Sequence, residues 1–160
     1  MSQAGQAGAS AVNGVNTQAF WAIPSNDVTN VTGDGTGYNP FINAQVQQQT
    51  GSGFNSTTGI FTAPVTGYFL FTYQFNLSNI DAAHSQLFLV NGGTGYGYYG
   101  SNINPGAVRI VAGGSYTSNQ AFAFRMTAGE TLELILGVDG STKTVGVSIQ
   151  GSLFSGCLLA

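Results

Sequence analysis

From residue 18 onward the chain is a succession of short apolar runs, broken roughly every ten residues by Gly, Asn, Asp or Pro. That rhythm predicts an all-β sandwich or barrel. The predicted strands are Phe20–Ile23, Phe41–Gln47, Gly59–Phe61, Tyr68–Leu77, Gln86–Val90, Tyr96–Tyr99, Ala107–Val111, Tyr116–Met126, Thr131–Val138, Thr144–Ile149 and Leu153–Leu159. Turns are expected where Gly clusters with Asn, Asp or Ser, and the pairs Asp34–Gly35 and Asp139–Gly140 supply residues that tolerate positive φ. No stretch long enough for a helix keeps a helical period. Residues 1–17 hold almost no large side chain, which predicts a flexible arm ahead of one domain over 18–160.

One strand departs from simple alternation. In Tyr68-Phe69-Leu70-Phe71-Thr72-Tyr73-Gln74-Phe75 the apolar residues fall on both faces, whereas an antiparallel sheet ordinarily wets one. The last strand does the same, with Phe154 and Leu158 on one face and Leu153, Cys157 and Leu159 on the other. The outer face therefore needs a cover. A second copy of the chain is the expected one, with a long loop or the arm as the alternative.

Composition sharpens this picture. Hydrophobic residues make up 42% of the chain, enough for a core, but charged residues only 6%, against about a quarter in ordinary soluble domains. The polar surface is built from Asn, Gln, Ser, Thr and Gly, a pattern that suits extracellular or virion proteins. The cations are Lys143, Arg109 and Arg125, and the net charge is −3. No nucleic-acid partner and no membrane insertion are expected, because both binding to phosphates and binding to anionic membranes need clustered cations, and no apolar run is long enough to span a bilayer. The N-terminal residues lack the basic and apolar regions of a secretory signal.

At this point the residues resemble a known family. Phe54, Phe61, Gly67, Phe69, Phe71 and Tyr73, in the stretch FNSTTGIFTAPVTGYFLFTYQF, resemble the signature of the complement C1q globular domain, related in fold to tumour necrosis factor. The closing LFSGCLLA resembles that family's last strand. AFWAI with VTNVTGDGTGYNPF, and AGETLELIL, look like C1q-like domains of bacteria and phage. The resemblance implies a ten-stranded jelly roll and a tight homotrimer. It places the strand from Gly67 to Tyr73 and the last strand in the inner sheet, between the core and the threefold axis. The candidate interface and core set is Tyr68, Phe69, Leu70, Phe71, Tyr73, Phe122, Phe124, Arg125, Phe154 and Leu158.

Catalytic constellations fare poorly. Asp81, His84 and Ser85 could be drawn as a triad, but adjacent strand residues point to opposite faces, so His84 and Ser85 cannot easily meet; His84 reads as a surface residue. Glu130 and Glu133 read as solvated acids at a turn rather than a glycosidase pair. The lone Cys157 reads as a buried inert thiol. Arg125 could pair with Glu130 or Glu133 across a subunit boundary. No cofactor is expected; calcium is held open at Asp27, Asp34 and Asp139, hard oxygen ligands on loops. Tyr96, Tyr98 and Tyr99, in GGTGYGYYGSN, offer flat amphipathic faces for a sugar or protein ligand, or pack on the sandwich wall.

The expectation is a non-enzymatic trimer on a virion surface or outside the cell: a phage structural protein, either a capsid decoration protein or a fibre head, held by residues 1–17. The expected partners are further copies of itself, the capsid or fibre, and a host surface glycan or protein. The alternative is a secreted or surface lectin-like carbohydrate- or protein-binding domain.

Overall fold

The computed structural model describes residues 18–92, apart from 82 and 85, and 114–159. The expected arm at 1–17 and the expected strands at 96–99 and 107–111 lie outside them.

Eleven strands run through the described residues: β1 (Ala19–Ile23), β2 (Val28–Thr32), β3 (Gly37–Tyr38), β4 (Gln45–Thr50), β5 (Phe54–Asn55), β6 (Ile60–Thr62), β7 (Gly67–Ile80), β8 (Gln86–Gly92), β9 (Gly114–Met126), β10 (Thr131–Asp139) and β11 (Val145–Leu158). They form two antiparallel sheets. One runs β4-β1-β11-β7-β9, with β2 also on β11; the other runs β3-β10-β6-β5, with β8 on the free side of β10. The result is the all-β jelly-roll sandwich expected from the sequence.

Alternation explains how the sheets close on each other. Along β7, Phe69, Phe71, Tyr73, Phe75 and Leu77 are all buried. Along β10, Leu132, Leu134 and Leu136 do the same from the opposite sheet, and Val138 joins them. Aromatic rings fill the space between. Phe20 stacks on Phe54 with centroids 4.5 Å apart, and Phe154 meets Phe20 edge-on at 4.9 Å. Phe61 meets Phe69 and Phe71 at 5.3 and 5.2 Å. Such offset and edge contacts suit the ring quadrupole, beyond the area they bury. Gly156 makes the close approach possible: a Cβ there would sit 2.7 Å from both the Phe20 and the Phe71 rings.

Three boundaries differ from the sequence reading. Phe41 belongs to a turn, not to a strand. Asn39 Oδ1 accepts the Phe41 N–H at 2.9 Å, Phe41 O accepts from Ala44, and the ring plugs the core between Phe75 and Phe154. Its apolarity serves that plug rather than a strand face. The expected strands Thr144–Ile149 and Leu153–Leu159 are one strand, β11, interrupted by a bulge. Ser148 pairs with Asn76 and Leu153 with Gln74, so three extra residues loop out between them. Gly151, at φ +82°, makes the reversal that an L side chain resists. The short strands β2, β3 and β5 are additional to the expected strands.

A buried threonine ties β2 to β10. Thr32 Oγ1 accepts the Val138 N–H at 2.8 Å and reaches Thr36 O and Val138 O at 2.6 and 3.2 Å. Gly33 N and Gly35 N both donate to Val138 O. The 33–36 turn and the 139–143 turn are thereby knit together.

Candidate functional site: the outer face of the six-stranded sheet

The same alternation that fills the core sends a second set of side chains outward from β1, β11, β7 and β9. Register aligns them in rows. Ala19, Cys157, Leu70 and Ala123 stand side by side; Trp21, Ser155, Thr72 and Ala121 form the next row; Leu153, Gln74 and Asn119 follow. Below the first row, Tyr68 lies opposite Arg125, and Leu159 N donates to Tyr68 O at 2.7 Å. Tyr68 is 54% exposed, Leu159 55% and Trp21 45%. The face is therefore apolar at one end and open. Apolar patches of this kind on a soluble chain ordinarily mark a contact site.

The other end of the face is polar and rigid. Thr72 Oγ1 and Ser155 Oγ are hydrogen bonded at 2.6 Å. Gln74 Nε2 donates to Gly151 O at 2.8 Å and Asn76 Nδ2 to Gln150 O at 2.9 Å, while Ser152 Oγ accepts the Asn76 N–H. These amides hold the β11 bulge in place, so the flat apolar half gives way to a fixed polar half.

The expected interface and core set divides between two roles. Phe69, Phe71, Tyr73 and Phe154 are core, and Phe122 and Leu158 pack against it. Tyr68, Leu70 and Arg125 belong to the outer face. Phe124 pairs with Phe69 along the backbone. Trp21 was missed, although β1 carries the same sign as β7: in AFWAI large apolar residues fall on both faces. Cys157, expected to be buried, is half-buried on this face.

Glu130 Oε2 accepts the Thr127 N–H at 2.6 Å, and Glu133 Oε2 accepts from Asn39 Nδ2 at 3.4 Å, so both acids have partners within the chain. Tyr96, Tyr98 and Tyr99 lie outside the described residues. The three aspartates considered for calcium do not converge. Asp27 Oδ1 accepts from Ser148 Oγ and Ile149 N on β11, whereas Asp34 and Asp139 sit in the two knit turns, bonded to Thr36 N and Gly140 N. Among the described residues no group of three His, Cys, Asp or Glu side chains is placed to hold a metal ion.

His84 is a correction. The sequence suggested a surface residue, but its side chain is fully buried. Nδ1 lies 3.1 Å from the Asp81 amide and 3.0 Å from Asp81 Oδ1, and Nε2 faces Gly33 with no hydrogen-bond partner. A base must reach the proton it takes, and this imidazole is closed off from solvent.

Asp34 gives a pH handle on the knit turns. The hydroxyl and amide of Thr36, helped by the charge of Lys143, hold its carboxyl below the ordinary 3.8. A carboxyl lowered by folding contributes stability above its unfolded pKa, and that contribution is lost as pH falls through the folded value. The difference in melting temperature between the native chain and Asp34→Asn should accordingly shrink as pH is lowered through the acid range; a difference that grows toward acid would contradict the assignment.

No protein-family model and no curated protein sequence matches the chain. Solved structures do. Murine APRIL at pH 8.0 superposes with a TM-score of 0.58 at 16% identity, over 90% of this chain and 100% of that one. The globular domain of zebrafish complement 1qA gives 0.60 at 15%, over 89% and 98%. Eiger TNF from S. frugiperda gives 0.58 at 14%, over 90% and 93%. At this level of identity the likeness is one of fold: the chain has the C1q/TNF-like jelly-roll fold.

Proposed function

We propose that this chain is a non-enzymatic module that assembles as a homotrimer through the outer face of its six-stranded sheet and presents its loops to a partner. The observation that carries this reading is the row of Leu70, Cys157, Ala19 and Ala123 with Tyr68, Trp21 and Leu159 around it, an apolar face left open by the single chain. A ring of copies closes such a face with few charges, in keeping with a chain that is only 6% charged. In a ring each copy presents one side of the face to the opposite side of its neighbour. The large Trp21 on β1 and the small Ala121 and Ala123 on the edge strand β9 suit that meeting.

The finer reading is a virion structural protein, a capsid decoration protein or fibre head attached through residues 1–17. Its support is the Asn-, Gln-, Ser- and Thr-rich surface and the likeness of the first strands to phage C1q-like domains. The test is native mass by light scattering on the full chain and on a version lacking residues 1–17, followed by binding to capsids and to a glycan panel. The proposal expects three chains in both versions and capsid binding in the full chain alone. A single chain in solution would overturn the trimer. Glycan binding without capsid binding would replace the virion role with a lectin-like one.

A further inference from the structure

The two Asp-Gly pairs of this chain have the same local sequence chemistry but opposite surroundings. We propose that Asp139–Gly140 is a site of spontaneous backbone isomerisation, and that Asp34–Gly35 is protected from it.

At Asp34 the two reacting groups are drawn apart. Gly35 N donates to Val138 O at 2.9 Å, while Asp34 Oδ1 accepts from Thr36 N at 3.1 Å. At Asp139 they are held together. Gly140 N lies 2.6 Å from Oδ1 of the preceding aspartate, so Cγ is one carbon–oxygen bond beyond a nitrogen already in contact. Gly140 is exposed to water and carries no side chain to obstruct the approach. The Asp139 carboxyl also lies over Gly35, where an added Cβ would sit 3.6 Å from Cγ. Reactants held at contact distance in this way gain much of the entropy that a flexible chain must lose to react.

The reaction balances without any added reagent. Gly140 N gives up its proton and bonds to Cγ of the protonated carboxyl, and the carboxyl oxygen leaves as water, forming a five-membered succinimide. Water then adds to one of the two ring carbonyls and the bond from that carbon to the nitrogen breaks. Opening at Cγ restores aspartate. Opening at the main-chain carbonyl leaves the chain running through the side-chain carboxyl, with the α-carboxylate free: an isoaspartate. One water leaves and one enters, so the mass is unchanged. The backbone gains one methylene at residue 139, two positions before Ser141, whose N–H donates to Gly33 O at 3.0 Å. Isoaspartate at 139 therefore acts on the bond that joins the two turns.

The test incubates the full chain, native and in denaturant, in mildly acidic buffer at physiological temperature for weeks. Isoaspartate is read by methyl transfer from an isoaspartyl methyltransferase and located by peptide mapping. In the native chain the site at 139 should carry at least about tenfold more label than that at 34, since a misplacement of about 1 Å alone can cost about a hundredfold in rate. In denaturant the two should label to a similar extent, because the contrast belongs to the fold. Asp139→Glu, which would need a six-membered ring, should lose the native label. Equal labelling of the two sites in the native chain, faster reaction at 34, or no label at 139 above the denatured rate would each overturn the proposal.

Discussion

Replacing Leu70 by aspartate should reduce the proposed trimer to single chains without unfolding them. Leu70 stands at the middle of the apolar rows, between Cys157 on one side and Ala123 on the other. In the proposed ring each of three copies would bring one carboxylate into the contact. An unpaired charge in a desolvated interface costs several kcal/mol, and about 4 kcal/mol already weakens association roughly a thousandfold. The single chain, by contrast, leaves this position partly open to water, so the core is untouched. Native mass should fall from three chains to one while far-ultraviolet circular dichroism stays unchanged. Thr117→Asp is the control, at an exposed position paired with Asn76 in the polar half of the same sheet, and it should leave the mass at three. A Leu70→Asp protein that remains trimeric would place the contact elsewhere on the molecule.

Truncating Phe154 to alanine should have the largest effect on stability. The ring is fully buried and lies within 4.9–6.1 Å of Phe20, Phe41, Phe54 and Phe71, so it is the hub on which both sheets and the Phe41 plug rest. Its loss leaves a cavity that four rigid rings cannot collapse into. Such truncations cost about 3–5 kcal/mol, which in a domain of this size lowers the melting temperature by roughly 10 °C. The comparison should be made at one protein concentration, since assembly shifts apparent stability by mass action. A loss below about 1 kcal/mol would mean that the rings are not packed as described.

How much of this could be read from the sequence depends on what each residue was selected to touch. β7 and β10 were legible almost to their ends because their core faces alternate without interruption, and β9 because Tyr116, Phe122 and Met126 keep the period across the polar Ser118 and Gln120. β11 was split in two, because Gly151 between Gln150 and Ser152 resembles a break, although it makes a bulge inside one strand. β4 was only half found: Gln45–Thr50 is exposed throughout, and an edge strand with neither face buried carries little apolar signal. Phe41 misled because a core plug in a turn is apolar for the same reason a strand residue is. His84 misled in the other direction, since burial of one imidazole against Gly33 leaves no mark on its neighbours in sequence. The outer face was legible in β7 and β11, where apolar residues occupy both faces, and was overlooked in β1, where the run is too short for its periodicity to stand out.

The position of β11 also governs how the chain can fold while it is being made. This strand follows every other described strand in sequence, yet it sits inside its sheet and pairs with β1, β2 and β7. Until it leaves the ribosome, β1 and β7 have no partner between them, and the Phe20 and Phe71 rings have nothing at Gly156 to close upon. Pairings this distant in sequence are slow to form, and unpaired edges in the waiting chain invite pairing with another copy. β11 is thus the last of the described strands to be made, and a nascent chain halted before residue 145 would lack the strand that joins β1 to β7.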